Sequence, residues 1–390
     1  MLISECPCQT AGATDLHHVS CVLEYIRGNS GNGANSFRHH LEPHIFCSTT
    51  MAPSPFHMLA FSLHNSYTLS LDRDSPFRVL FRGLRSTSPT VHTLDLSGHA
   101  GSNILITGAT SGCGLELAIA LSRVRCHLLI TSRDHDRGEQ IRKQILGEAK
   151  RSESGACVDV LDLDMTSPRS IRNIAARVHE RVPHLDIAIL NAGVYQTSMH
   201  ICPESGFEET VQVNTLATAA LSVLLRGLLA RSDRGKMLIV SSEAHAWADP
   251  REGATRDLVE SLNRSERILY PCHQRYHISK LLSILWANQI ASRAEWDGVK
   301  VAAVSPGYTR SNLFRDFSSS LFTRAIERVA CRTSDEGASQ YICALNNMKN
   351  GGFWSDGQWR RLVLAEIGRQ QPSHLHIEQT FHGDDLYKWA

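Results

Sequence analysis

An α/β fold built on a doubly wound parallel sheet follows from three features of the sequence. Six short apolar runs alternate with longer amphipathic stretches, which is the texture of strands and crossover helices. A glycine-rich turn joins the first run to the helix after it. The chain of 390 residues holds one α/β domain of roughly 250 to 300 residues and leaves room for an extension.

In chain order, the β-branched and aliphatic runs Asn103 to Thr107, His127 to Thr131, Cys157 to Leu163, Asp186 to Leu190, Lys236 to Ser241 and Val299 to Val304 predict strands. Between and after them, Cys113 to Arg123, Arg137 to Lys150, Ser167 to Glu180, Phe207 to Ala230, His277 to Arg293 and Ser320 to Asn346 predict helices. Strands separated by helices pair in parallel, and such sheets bind ligands at the carboxyl ends of their strands. No internal repeat is evident.

Before Ser97 the chain lacks either periodicity, so residues 1–96 are expected to be an irregular extension and residues 97–390 a single domain. Cys6, Cys8, His17, His18 and Cys21 match no familiar zinc-ligand spacing, and no metal site is expected. The N-terminus lacks the basic, apolar, small-residue order of a secretory signal. Arg73, Arg78, Arg82 and Arg85 among serines hint at a transit peptide, but Glu5, Asp15, Glu24, Asp72 and Asp74 argue against one. Met51 offers a second start, which leaves open whether the first fifty residues belong to the functional protein.

Composition narrows the function class. Lys plus Arg at 40 against Asp plus Glu at 39 gives a net charge of +1, so no general basic field exists to hold nucleic acid. No sequence run reaches the roughly 18 apolar residues of a membrane span. The 11 cysteines form no CxxC pair, and an odd number would leave one thiol over in a secreted protein. An intracellular, cytoplasmic location is therefore expected.

The chemistry-bearing residues begin at Thr107-Gly108-Ala109-Thr110-Ser111-Gly112-Cys113-Gly114. A strand, a glycine turn and a helix start together form a site for a pyrophosphate, whose charge meets free N–H groups and the positive end of the helix. A plain βα turn would look similar if it stood alone. Further on, Tyr276 and Lys280 are four residues apart on a helix and so share one face. An ammonium beside a phenol favours the phenolate, which is expected to bring Tyr276 down towards neutrality and make it a usable proton donor or acceptor.

The TGxxxGxG spacing resembles that of the short-chain dehydrogenase/reductase family, and later landmarks follow in the family's order. Leu190-Asn191-Ala192-Gly193 resembles its NNAG turn with Leu190 in place of the first Asn, and Asn214 stands where the family keeps an active-site Asn. Ser242 of the pair Ser241-Ser242, then Tyr276-His277-Ile278-Ser279-Lys280, supply its serine and its YxxxK. Pro306-Gly307-Tyr308-Thr309-Arg310-Ser311 resembles its PGxxxT turn, with Ser311 for the usual Thr. The match spans about residues 97 to 358.

The resemblance implies a Rossmann fold and a carbonyl–alcohol oxidoreductase. Tyr276 would carry the proton, Ser242 steady the reacting oxygen, and Asn214 hold a water linking Lys280 to solvent. The cofactor contacts it implies are Gly108, Ser111, Gly112, Cys113, Gly114, Asp164, Asn191, Tyr276, Lys280, Thr309 and Ser311. Cys113 replaces the usual Ile or Leu. Asp164 would touch adenine, or else cap the helix near Ser167.

Cofactor choice rests on the turn after the second strand, Thr131-Ser132-Arg133. No acid stands there to bind the ribose hydroxyl of NAD, whereas the Arg133 guanidinium suits a 2′-phosphate, so NADP(H) is favoured over NAD(H). A solvated surface arginine is the alternative. Between Ser242 and Tyr276 lie 33 residues, an insertion resembling those of the retinol-dehydrogenase-like and fungal secondary-metabolism branches and read as a substrate lid or a solvated loop. The expected partner is a fairly apolar small molecule, a secondary metabolite among the candidates. A homo-oligomer stays open, since Ala219 to Ala230 suits a subunit interface or core packing equally. The rival reading is a catalytically idle nucleotide-binding module that acts as a redox-sensing partner, and an epimerase on the same fold is a third.

Overall fold

Strands covered on both faces need apolar side chains at nearly every position, and the central predicted strands have them. In the computed structural model, which describes residues 89–248, 263, 272–309 and 331–360, these runs form β1 (Asn103–Ile106), β2 (His127–Ser132), β3 (Cys157–Asp162), β4 (Ile187–Leu190), β5 (Lys236–Val240) and β6 (Lys300–Val304). The helices are α1 (Gly112–Leu121), α2 (His135–Arg151), α3 (Pro168–Arg181), α4 (Glu209–Leu229), α5 (Cys272–Ala291) and α6 (Ser334–Asn346). The predicted α6 began at Ser320, and its part before 331 lies outside the described residues.

Local chemistry sets several starts. Asp134 caps α2 by accepting from the Arg137 N–H at 3.0 Å, Ser167 caps α3 with Pro168 in its first turn, and Thr333 and Glu336 form a reciprocal capping box on α6.

The sheet runs β3-β2-β1-β4-β5-β6-β7-β8 and so exceeds the six strands expected. β7 (Phe353–Ser355) joins in parallel beside β6, and β8 (Gln358–Arg360) returns antiparallel. Alternate residues of each strand feed opposite cores. Leu105, Leu129, Ala188 and Ile239 pack under α3, α4 and α5, while Ile104, Ile106, Leu128 and Val240 pack under α1, α2 and α6.

Two further points concern the chain's edges. Glu209–Leu229 is long and apolar enough to cross a membrane, yet it is mostly buried inside the fold. Leu221, Leu225, Leu228 and Leu229 are fully buried in the core, which accounts for the apolar stretch that could also have served an interface. Val91 and Leu96, which precede the expected boundary at Ser97, are buried with α1 and α6, and the Val91 N–H donates to the Asp335 carboxylate at 2.9 Å. A chain beginning at Ser97 is expected to be less stable than one beginning at Pro89 by about 3 to 6 kcal/mol from the loss of one buried valine and one charge-assisted hydrogen bond, with the buried Leu96 side chain adding to the loss. Urea midpoints measure the difference, and equal midpoints would remove residues 89–96 from the folded unit.

Candidate active site

A cavity of about 490 Å³ opens at the carboxyl ends of the central strands. Its lining includes Gly108, Ser111, Gly112 and Cys113 on one side, Asn191, Gly193 and Val194 after β4, and Tyr276 and Lys280 from α5. The strand order places β1 beside β4, so the gap between their turns is where the crossovers diverge to opposite faces. The glycine turn is tightly supported. A Cβ on Gly114 would lie 2.5 Å from Asn191 Nδ2 and 2.6 Å from the Gly108 carbonyl, so only glycine fits.

Asn191 holds that turn together rather than reaching outward. Its Nδ2 donates to the carbonyls of Thr107 at 3.0 Å and Gly108 at 3.1 Å, and its Oδ1 accepts from the Tyr341 hydroxyl at 3.0 Å. Cys113, buried beside Thr309 with 3.8 Å between Sγ and Oγ1, links the turn to the segment after β6. Burial pushes its thiol up to about 11, so it stays protonated and serves as packing.

At the other end, Ser242, Tyr276, Lys280 and Asn214 converge. Ser242 lies two residues beyond β5 and caps a 3₁₀ turn, Glu243–Trp247, accepting from the Ala244 N–H at 3.2 Å, and its side chain also hydrogen-bonds Tyr276. Its neighbour Ser241 is structural, donating to the Lys280 carbonyl at 2.7 Å. Lys280 Nζ donates to the Val240 carbonyl at 3.1 Å and lies 5.7 Å from the centre of the Tyr276 ring. Asn214 sits in a π-helical segment of α4, Gln212–Ala217, the widened turn that functional sites often carry. It clamps Val194 from both sides, accepting its N–H at 2.8 Å and donating to its carbonyl at 2.9 Å. A Cβ on Gly193 would lie 3.2 Å from Asn214 Oδ1 and 3.3 Å from Lys280 Nζ, so these polar groups meet over one point of the backbone.

Electrostatics correct one expectation. Tyr276 was expected to be drawn towards neutrality by Lys280, but burial pushes it up to about 12, with the Ser242 hydrogen bond pulling the other way. Burial also pulls Lys280 down to about 8. Desolvation outweighs the pairing because both groups are enclosed by protein, so the phenol holds its proton at neutral pH.

The far end carries the cofactor-selecting residues. Arg133 and Arg137 both line the cavity, so a second guanidinium joins the one expected from sequence. The nearby Asp134 carboxylate is committed to the start of α2, and Ser132 Oγ donates to the Asp134 carbonyl at 2.6 Å. Asp164 lines the same end, its Oδ1 accepting from the Thr166 N–H and hydroxyl at 2.9 and 2.7 Å. Ser167, not Asp164, caps α3. Thr309 lines the cavity, while Ser311 lies outside the described residues.

A nicotinamide dinucleotide fits this donor set. The glycine cradle and the first N–H groups of α1 meet a pyrophosphate, two guanidiniums stand at one end, and a tyrosine–lysine pair at the other. Most of the predicted insertion, and the Cys6 to Cys21 cluster, lie outside the described residues. Asn263 ties the insertion to the segment before α4, its Nδ2 donating to the Gly206 carbonyl at 2.6 Å and its Oδ1 accepting from the Glu208 N–H at 2.7 Å. Among the described residues no group of three metal-ligating side chains occurs.

Sequence reasoning missed Tyr195, whose ring centre lies 5.0 Å from that of Tyr276, and Arg137. Arg137 carries a legible signal, being one helical turn beyond the Ser132-Arg133 corner. Tyr195 carries none, since it reaches α5 only through contacts between distant segments, its hydroxyl meeting His273 Nδ1 and Cys272 Sγ.

Residues 102–252 match the short chain dehydrogenase family. Short-chain dehydrogenase/reductase ffsI of Aspergillus flavipes is 32% identical over 269 residues, covering 66% of this chain and 77% of the relative. Human retinol dehydrogenase 14 is 31% identical over 279 residues, covering 66% of this chain and 79% of the relative. Among solved structures, a short-chain dehydrogenase from Sphingobium yanoikuyae in complex with NADPH aligns with a TM-score of 0.51 at 19% identity, over 72% of this chain and 96% of that one, a likeness of fold.

Proposed function

The chain belongs to the short-chain dehydrogenase/reductase family, and from that premise we propose that it is an NADP(H)-dependent oxidoreductase interconverting a carbonyl and an alcohol on a fairly apolar small molecule. The observation that carries the reading is that Tyr276 and Lys280 line one end of a cavity whose other end holds Arg133 and Arg137, with Ser242 hydrogen-bonded to Tyr276 and Asn214 close to Lys280 just outside the lining.

When bound, a reduced nicotinamide supplies the hydride. The chain's own residues handle the proton and the developing charge. Tyr276, protonated at neutral pH, donates to the carbonyl oxygen as that oxygen gains negative charge. Ser242 offers a second hydrogen bond to the same oxygen, and the Lys280 ammonium stabilises the phenolate left behind. Gly108, Ser111, Gly112 and Cys113, which line the cavity, would hold the pyrophosphate on backbone N–H groups, Asp164 would meet the adenine, and Thr309 the carboxamide.

The substrate end is apolar and aromatic where it is described. Val194 and Tyr195 line it beside Tyr276, and Trp247 packs against the same cluster. A flat or polyene-like substrate suits these walls, in keeping with a relative named for retinol and another from a filamentous fungus. A cytoplasmic location belongs to the proposal and rests on the odd cysteine count.

Following reduced-nicotinamide absorbance across a panel of ketones, aldehydes and alcohols tests the proposal. Oxidation of NADPH with at least one apolar carbonyl compound supports it. Failure of every member with both NADPH and NADH would overturn it.

The pH profile follows from the two shifted groups. Below about 8 Lys280 is charged and Tyr276 protonated, the pairing that reduction requires. Reductive kcat/KM is therefore expected to fall as pH rises through about 8, where Lys280 loses the charge that stabilises the phenolate left behind, while Tyr276, pushed up to about 12, keeps its proton over that range. A reductive rate that climbs above that point would contradict the role of the Lys280 charge in stabilising the Tyr276 phenolate.

A further inference from the structure

Directly after Ser242, Glu243 turns away from the cavity and enters a cluster of charges that the reaction does not use. Its Oε1 accepts from the Ser355 hydroxyl at 2.5 Å, and its carboxyl hydrogen-bonds the carboxyl of Asp356. Asp356 in turn binds two guanidiniums, Arg332 at 2.7 Å on Oδ1 and Arg360 at 3.2 Å on Oδ2. Arg332 is only 3% exposed.

Arg332 is also the scaffold of the turn after β6. Its N–H donates to the Tyr308 carbonyl at 2.8 Å, it forms a β-bridge with Thr309, and a Cβ on Gly307 would lie 2.2 Å from its Nη1. The guanidinium therefore fills the space behind Pro306–Thr309, and Asp356 fixes the guanidinium. A chain of contacts runs from Ser242 through Glu243, Asp356 and Arg332 to Thr309, joining the proton-handling end of the cavity to the turn opposite.

Two carboxyl groups in hydrogen-bond contact must share a proton, since neither carboxylate can donate to the other. The groups facing Glu243 favour this arrangement. Asp356 is held ionised by Arg332 and Arg360 despite its burial, while burial and the Asp356 charge push Glu243 up to about 7. His245, on the same 3₁₀ turn, places its Nδ1 2.7 Å from the Ser242 carbonyl and its ring against Phe353, so it braces the turn from the other side.

We propose that Glu243 is a positioning residue whose carboxyl proton, shared with Asp356, locks the Ser242 turn to the Pro306–Thr309 turn. With the proton present the two turns are tied. Without it, two adjoining carboxylates repel, Asp356 loses its fixed hold on Arg332, and the cavity loosens at the end that would receive the nicotinamide. The inference rests on the cofactor reading above.

The test is NADPH affinity by fluorescence titration at about pH 6 and about pH 8.5, on either side of the expected transition. Titration of the cofactor's own phosphate and of Lys280 is common to all variants, so the readout is the ratio of wild-type to variant Kd. Glu243→Gln keeps a donor to Asp356 at every pH, and the ratio is expected to rise about tenfold between the two conditions, the equivalent of one pK unit of coupling. Asp356→Asn, whose amide tolerates the left-handed backbone at φ 50°, removes the like charge and should give the same rise, which covers a failure of the first variant to fold. A ratio that does not change with pH in either variant would overturn the proposal while leaving the cofactor reading intact. Absence of NADPH binding at both pH values would overturn both.

Discussion

Tyr276→Phe is expected to lower kcat by roughly 10³-fold, the middle of the range for a general acid, while NADPH affinity and the melting temperature stay near wild type. The substitution removes one hydroxyl and keeps the ring. That ring is buried and packed on Tyr195 at 5.0 Å between centres, so its shape, not its O–H, holds α5 in place. Ser242 loses one partner but still caps the 3₁₀ turn through the Ala244 N–H. Single-turnover kinetics with the panel's best carbonyl substrate, beside circular dichroism of the same preparation, separates loss of chemistry from loss of fold. Turnover within tenfold of wild type would remove Tyr276 from its role.

Arg133→Ala is expected to lower the preference for NADP over NAD by about ten- to a hundredfold, the loss of one charge-assisted hydrogen bond worth about 1.5 to 3 kcal/mol. Arg137 lines the same end, so the double replacement with Arg137→Ala should abolish what preference remains. Both guanidiniums are exposed, and the Arg137 main-chain N–H that caps on Asp134 survives either change, so stability should not follow specificity down. The measurement is kcat/KM for the two cofactors in wild type and in each variant. A wild-type preference for NAD, or a ratio indifferent to both arginines, would refute the phosphate assignment and leave Tyr276 untouched.

The fold was legible because the central strands are apolar at almost every position and several helices carry their own start signal, as at Asp134, Ser167 and Thr333. β7 and β8 escaped notice because three residues are too few to show a period. Yet Asp356-Gly357, two residues with positive φ between Ser355 and Gln358, is a hairpin signal that sequence alone carries. At the site, local spacing revealed residues that share a helix face or follow a strand, such as Tyr276 with Lys280. It could not reveal Tyr195, Arg332 or Asp356, which reach the site through contacts between distant segments. Nor could spacing weigh burial, which decides that Tyr276 holds its proton.

The floor of the cavity is pinned by Asn191, whose side chain joins the turn after β1, 83 and 84 residues earlier, to the Tyr341 hydroxyl of α6, 150 residues later. Only a fragment running from Thr107 to Tyr341, nearly the whole folded domain, contains all three parts. Assembly therefore has to bring both halves of the sheet and the last helix together before a nucleotide finds its seat, and contacts of such long range form slowly. Because the unfolded chain holds no piece of the seat, binding draws only on the finished fold, and free cofactor at a hundred times its Kd should add about 2.7 kcal/mol to the global stability. Cofactor supply would then set how long a newly made or heat-stressed molecule survives proteolysis, so abundance would follow the nucleotide pool even where turnover does not.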